Sequence, residues 1–386
     1  MSTFISIMNC LKKNTIISII LFAIIGLGLR ISVSNYGYNH DFIHHQKNME
    51  FLKYGESFYA YGKYNYTPLW VNLLLFLDTV SLPFINYQPS FRIKLVLLLS
   101  LVDFLIFILL CRNYSIRTGL LFFLNPISIF ITGFHNQFDN IAILLAFVAI
   151  LIYEKYKNNY ELLISLIIFG LSICAKHVLI FFPIWLAFKE KLFTKKIIII
   201  LVPYLIFFLS FVNYVPEDLN PIIKYVFQYK ASNNGPFWKI FTPQIIYIYI
   251  DQKILFFIVL IIIGLFFKKK SLRNIFYYYL ILIVILSSGM ANQYLAIPLL
   301  ALAIFWNRKY LIYSLLCVLL FVVDGDAFNI QVLREFLEWD YRSTRMMYYP
   351  IILILLLGFL ETILGKKKLS LFFLKIVSMI INKIKT

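Results

Sequence analysis

The stretch PLWVNLLLFLDTVSLPFI, Pro68 to Ile85, is apolar enough to enter a bilayer, yet it carries Asp78 and is bounded by prolines near both ends. Whether it crosses decides how every later segment is threaded. An acid within a span is expensive, and proline breaks the backbone hydrogen-bond ladder. If it crossed, RNYSIR (Arg112, Arg117) would fall outside and every later basic cluster would be inverted. The stretch therefore reads as a helix lying in the outer interface.

The rest of the chain supplies the setting. Its 386 residues are 61% hydrophobic and 14% charged, and its mean hydropathy of +0.84 is far above that of soluble domains. The apolar runs are continuous rather than alternating, which favours helices over a barrel. TIISIILFAIIGLGLRISV, Thr15 to Val33, is long enough to cross about 30 Å of hydrocarbon and too long for a signal-peptide core. The basic clusters KEKLFTKK, KKKSLR, NRKY and GKKK sit between apolar runs, so the net charge of +18 follows the positive-inside rule rather than marking a nucleic-acid surface. The four cysteines (Cys10, Cys111, Cys174, Cys317) are scattered, with no disulfide framework or paired-cysteine metal site.

Placing the basic clusters in the cytoplasm yields an all-α polytopic membrane protein with about 12 crossings and both termini inside. The expected spans are Thr15–Val33, Arg92–Cys111, Thr118–Phe134, Asn140–Tyr153, Glu161–Ala175, Val178–Phe188, Ile197–Asn213, Ile254–Phe267, Ile275–Met290, Tyr294–Trp306, Tyr310–Val323 and Pro350–Leu364. The chain is then one integral membrane domain. Interfacial helices occupy a first outer loop at 34–91, further outer loops run over 214–253 and 324–349, and a basic cytoplasmic tail covers 365–386. Four polar stretches, NHDFIHH, GFHNQFDN, CAKHV and GMANQYL, fall on the outer side at helix ends. Such a site at the lipid–water boundary suits the processing of a lipid headgroup.

Asp41 is the sharpest catalytic candidate: a carboxylate among aromatic residues at a membrane surface can act as a general base on a hydroxyl, or it can simply cap the helix that follows. His40, His44 and His45 with Asp41 are candidate ligands for a divalent metal, or hydrogen-bonding surface residues. His135, Gln137 and Asp139 are candidates to hold a sugar or a phosphate-bound ion, with capping of the next helix as the plainer reading. Lys176 and His177 interrupt an apolar stretch, where an ammonium needs an anion or water; with no acid in the adjoining short helices except the terminal Glu161 and Glu190, a phosphate is expected there. Arg30 is a further phosphate candidate, or snorkels toward headgroups. Gln293 and Tyr294 offer neutral hydrogen bonds to a sugar, or join helices. FQYKASNNGPFWKI, Phe227 to Ile240, is either an ordinary outer loop or a cover for the donor headgroup.

The order of motifs resembles the membrane glycosyltransferases of superfamily C, notably bacterial members similar to the mannosyltransferase of glycosylphosphatidylinositol assembly. The resemblance rests on the acidic first loop, YNYTPL (Tyr64 to Leu69), FLNPISIFITGFHNQFDN (Phe123 to Asn140), AKHVLIFFPIW (Ala175 to Trp185), FQYKASNNGPFW and NQYLAIPLLAL (Asn292 to Leu302). It implies an inverting transfer of a sugar, mannose among the candidates, from a polyprenyl-phosphate donor to a glycan or lipid acceptor on the extracytoplasmic face of a cell membrane; the compact size and short connections suggest a bacterial inner membrane. The catalytic base maps onto Asp41, the acid after the third membrane helix onto Asp139, and the phosphate-facing cation onto Lys176. Asn39-His40 precede Asp41 where many members carry paired acids. A lipid-linked glycan transporter would show internal repeats and a midplane site, and neither is present in the sequence. A polysaccharide polymerase or ligase would differ in using a lipid-linked oligosaccharide.

Overall fold

A computed structural model describes residues 13–80, 90–228, 235–242, 251–325 and 327–371. Cys10, Lys230, residues 81–85 and most of the basic tail lie outside them. The described residues are helical throughout, with no strand among them. The helices are α1 (Lys13–Ser34), α2 (His40–Lys53), α3 (Pro68–Thr79), α4 (Phe91–Asn113), α5 (Ile116–Phe123), α6 (Pro126–Phe130), α7 (Asp139–Tyr153), α8 (Asn159–Ala175), α9 (Phe182–Ala187), α10 (Phe193–Leu209), α11 (Val215–Ile222) and α12 (Pro236–Phe241). They continue as α13 (Gln252–Phe267), α14 (Leu272–Ile285), α15 (Leu299–Ile304), α16 (Arg308–Val323), α17 (Gln331–Phe336) and α18 (Tyr341–Leu364).

By length and composition three helices, α1, α4 and α18, can cross a membrane, and a fourth span results if α5 and the helix after it, bent by 46°, are taken together. Other apolar helices, such as α7, α8 and α13, have 10–17 residues. Most expected spans overlap helix, but Thr118–Phe134 is broken between α5 and α6, and Val178–Phe188 is a 3-10 turn followed by the six-residue α9. The expected span Ile275–Met290 ends as helix at Ile285, and Tyr294–Trp306 begins as a 3-10 turn, Asn292–Ala296. The outer loop expected over 324–349 ends in helix, because α18 begins at Tyr341, capped by Asp340.

α3 explains the decisive stretch. Thr67 and Pro68 start it, and it runs only 12 residues before Val80 turns extended. At about 1.5 Å per residue that is roughly 18 Å, short of a crossing. Asp78 pairs with Lys53 of α2 at 2.6 Å, and Lys94 of α4 donates to Val80 O at 2.6 Å. α3 thus packs on α2 as a short helical pair over the bundle.

Apolar side chains cover the outside of the long helices: Ile24 of α1 is 64% exposed and Phe266 of α13 79%. Charges occupy the inside. Arg30 and Asp103 are fully buried and paired at 2.9 Å, and the same carboxylate accepts from Ser128, Thr132 and Asn140 at 3.0, 2.7 and 2.5 Å. Paired charges inside an otherwise apolar core, with apolar side chains also outside, suit helices surrounded by hydrocarbon. The Arg30–Asp103 pair also corrects one expectation. Arg30 neither reaches a phosphate site nor snorkels; it bonds Asp103, Gly26 O and Phe123 O, and locks α1, α4, α6 and α7 together.

Candidate functional site

The helix after α5 is unwound where the polar motif GFHNQFDN falls. α6 passes into a π-helical turn, Ile131–His135, and Asn136 follows in the left-handed conformation, φ 55° and ψ 39°. Asn is among the few residues that adopt this conformation readily, and its amide donates back to Thr132 O at 3.1 Å. Gly133 allows the turn to lie against α1, since a Cβ there would come within 2.6 Å of Arg30 O. The break frees Gln137 and Asp139 from helical stacking and directs them to one point, a common use of π-turns.

Two further breaks meet there. α8 stops at Ala175; Lys176 is extended, and a 3-10 turn, His177–Leu179, follows. In the segment after α1, Asn39 caps α2 by accepting from the Asp41 amide at 2.5 Å. Asp41 is therefore not the cap. Its carboxylate Oδ2 accepts instead from Gln137 Nε2 at 2.5 Å, and Gln137 Oε1 accepts from Lys176 Nζ at 3.3 Å. Lys176 in turn pairs with Asp139 at 2.5 Å, both nearly fully buried. The result is one continuous chain, Asp41–Gln137–Lys176–Asp139.

Lys176 was expected to meet a phosphate and no carboxylate; its structural counter-ion is Asp139, brought from 37 residues away. Gln137 and Asp139 likewise stand behind the cavity wall as supports rather than on it. Burial pushes the Asp41 carboxyl above its ordinary value, against the downward pull of Lys176, His44 and the Gln137 hydrogen bond. A base with raised affinity for protons is better matched to neutral pH.

The cavity in front of this chain has a volume of about 630 Å³, in the range of small-molecule sites. Asp41, His45, Asn48, Lys176, His177 and Gln293 form polar wall. Phe181, Phe256, Ile283, Val284 and Ile297 form apolar wall on the side of α13 and α14. Trp70 and Phe138 stack at 4.0 Å, with Lys176 Nζ 4.7 Å from the Phe138 ring. Gln293 and Tyr294 line the cavity on the 3-10 turn, anchored by Asn292, which donates to Asp324 at 2.6 Å and accepts from Tyr348 at 2.7 Å. α12, within the loop expected to cover a donor, is tied to the cavity rim by Trp238 Nε1 donating to Leu286 O at 2.6 Å.

His135 is brought near but not into the cavity; it is fully buried and bonds Asn39 at 2.8 Å. His40 and His44 are exposed with rings 5.4 Å apart, whereas His45 turns inward against Trp70 and Phe138. Among the described residues no three His, Cys, Asp or Glu side chains gather as metal ligands. Sequence reasoning missed Asp103 and Asn48. An acid midway along the apolar run LVDFLIF, Leu101 to Phe107, was the available signal for the first.

No protein-family model matches this chain, and no curated protein is significantly similar to it.

Proposed function

We propose that the chain is an integral membrane inverting glycosyltransferase of the superfamily C type, moving a sugar from a polyprenyl phosphate to a glycan or lipid acceptor. In this reading the chain is a polytopic membrane protein, both termini are cytoplasmic, and the cavity opens at the extracytoplasmic face. The observation that carries it is a carboxylate oriented by an amide, beside a buried cation, on a cavity with both polar and apolar walls. Such walls fit a ligand with a polar head and a hydrocarbon tail.

Asp41 takes the proton of the acceptor hydroxyl as its oxygen forms a bond to the anomeric carbon. The bond from that carbon to the phosphate oxygen breaks, the electron pair leaves with the phosphate, and the configuration inverts. Lys176 stabilises the charge gathering on the departing phosphate. Because Asp139 and Gln137 already hold its ammonium, Lys176 is positioned in advance of the ligand.

The test is to incubate purified protein and an acceptor extract with a panel of polyprenyl-phosphate sugars and follow release of polyprenyl phosphate. Release by the native chain and its loss in Asp41→Asn support the proposal. A fully active Asp41→Asn protein sinks the catalytic assignment, and no release from any donor sinks the donor class.

A further inference from the structure

His45 and Asn48 lie one turn apart on the cavity side of α2, both buried, and each has one polar atom without a partner: His45 Nε2 and Asn48 Oδ1. Their chemistry is settled by the bonds they do make. His45 Nδ1 accepts from Trp70 Nε1 at 3.4 Å. Burial and the nearby Lys176 and His44 lower its pKa to about 3, so the ring is neutral and its proton sits on Nε2, a donor. Asn48 Nδ2 donates to His44 O at 2.7 Å, which leaves Oδ1 as an acceptor.

A donor and an acceptor one turn apart on α2 match a hydroxyl, which accepts and donates at once. A carboxylate or phosphate oxygen has nothing to donate to Asn48, and an ammonium cannot accept from His45. Phe138 links this pair to the cation: His45 packs on its ring at 5.8 Å, and Lys176 Nζ lies 4.7 Å from it. The hydroxyl therefore belongs to a group held close to the lipid phosphate.

We propose that His45 and Asn48 form a subsite that reads a hydroxyl of the group carried on the lipid phosphate. This rests on the donor reading above. Neither residue touches the reacting bond in this assignment; they bind and orient that group.

The test compares equilibrium binding of bare polyprenyl phosphate with that of polyprenyl-phosphate mannose, glucose and galactose, on the full chain in nanodiscs. At least one sugar-bearing lipid is expected to bind about 3- to 10-fold more tightly than the bare lipid. His45→Phe and Asn48→Leu should erase that difference and leave the bare lipid's Kd unchanged. Gly62→Ala is a second route: a Cβ there would collide with Asn48 Oδ1 and press on Phe58 O at 2.6 Å, so it should displace the Asn48 amide and give the same loss with both polar side chains retained. A difference that survives these variants, a bare-lipid Kd weakened equally, or no sugar binding more tightly than the bare lipid overturns the subsite while the donor reading stands. Failure of the native chain to bind bare polyprenyl phosphate removes the donor reading and the subsite together.

Discussion

Burial raises the affinity of Asp41 for protons above the ordinary value of 3.8 although Lys176, His44 and Gln137 pull the other way. A carboxyl whose folded pKa exceeds its unfolded one costs the fold stability once pH rises past the unfolded value, because the unfolded chain ionises first. At neutral pH Asp41→Asn should therefore melt at an equal or higher temperature than the native chain by scanning calorimetry, with Gln137 still donating to the new amide. Turnover should nevertheless fall by roughly 10²-fold or more. The acid limb of the native pH–rate profile should lie above pH 3.8 for the same reason, and a limb at or below it would show that Asp41 is not the group titrating. Lys176 behaves differently. Its partner Asp139 is 1% exposed, so Lys176→Met leaves a buried charge uncompensated and should cost about 3–5 kcal/mol by chemical denaturation. Adding Asp139→Leu should recover most of that stability without restoring turnover; equal losses in single and double variants would mean the two do not act as a pair.

At the scale of elements, the site exists because three helix ends meet in the same place: the start of α2 and the ends of the π-turn and of α8. Apolar periodicity located the runs around α7, α8 and α16 to within a few residues, since a continuous apolar run needs no knowledge of its neighbours. The site's candidates were legible for a related reason: Asp41, Lys176, His177, Gln293 and Tyr294 are polar interruptions at the ends of such runs, and all five line the cavity. Pairings were not legible. Asn39 rather than Asp41 caps α2, and Lys176 finds Asp139, because hydrogen bonds between distant segments depend on how the helices pack. Arg30 was misread in the same way: its partner lies 73 residues on. The Arg30–Asp103 pair ties α1 to α4 and, through Thr132 and Asn140, holds both sides of the π-turn. Arg30→Met should thus lower stability by about 3–5 kcal/mol, while folded protein binds polyprenyl phosphate within twofold of native. A selective loss of affinity with normal stability would return Arg30 to the phosphate site.

For the whole molecule, the decisive quantity is the side of the membrane on which each loop emerges. α3 spans roughly 18 Å and is held by Lys53 and Lys94 at its polar end, which supports the proposal that the chain enters α4 from the same side on which α2 and α3 lie. In the proposed topology the cavity, with the exposed Lys63 at its rim, lies on one face, and Lys268, at the end of α13, on the other. The exposed apolar sides of α1, α10 and α13 require a hydrocarbon surrounding in either orientation, so burial cannot decide between them; the basic clusters can, because Lys and Arg resist transfer across the membrane. The orientation expected is Lys63 outside and Lys268 inside. In a background with the cysteines replaced, Lys63→Cys should react with an impermeant maleimide in intact cells, and Lys268→Cys only after permeabilisation. If α3 instead crossed, the two sites would no longer separate in this way: both would label from one side. Labelling of Lys268→Cys from outside would therefore invert every segment after α3 and place the basic clusters on the wrong face.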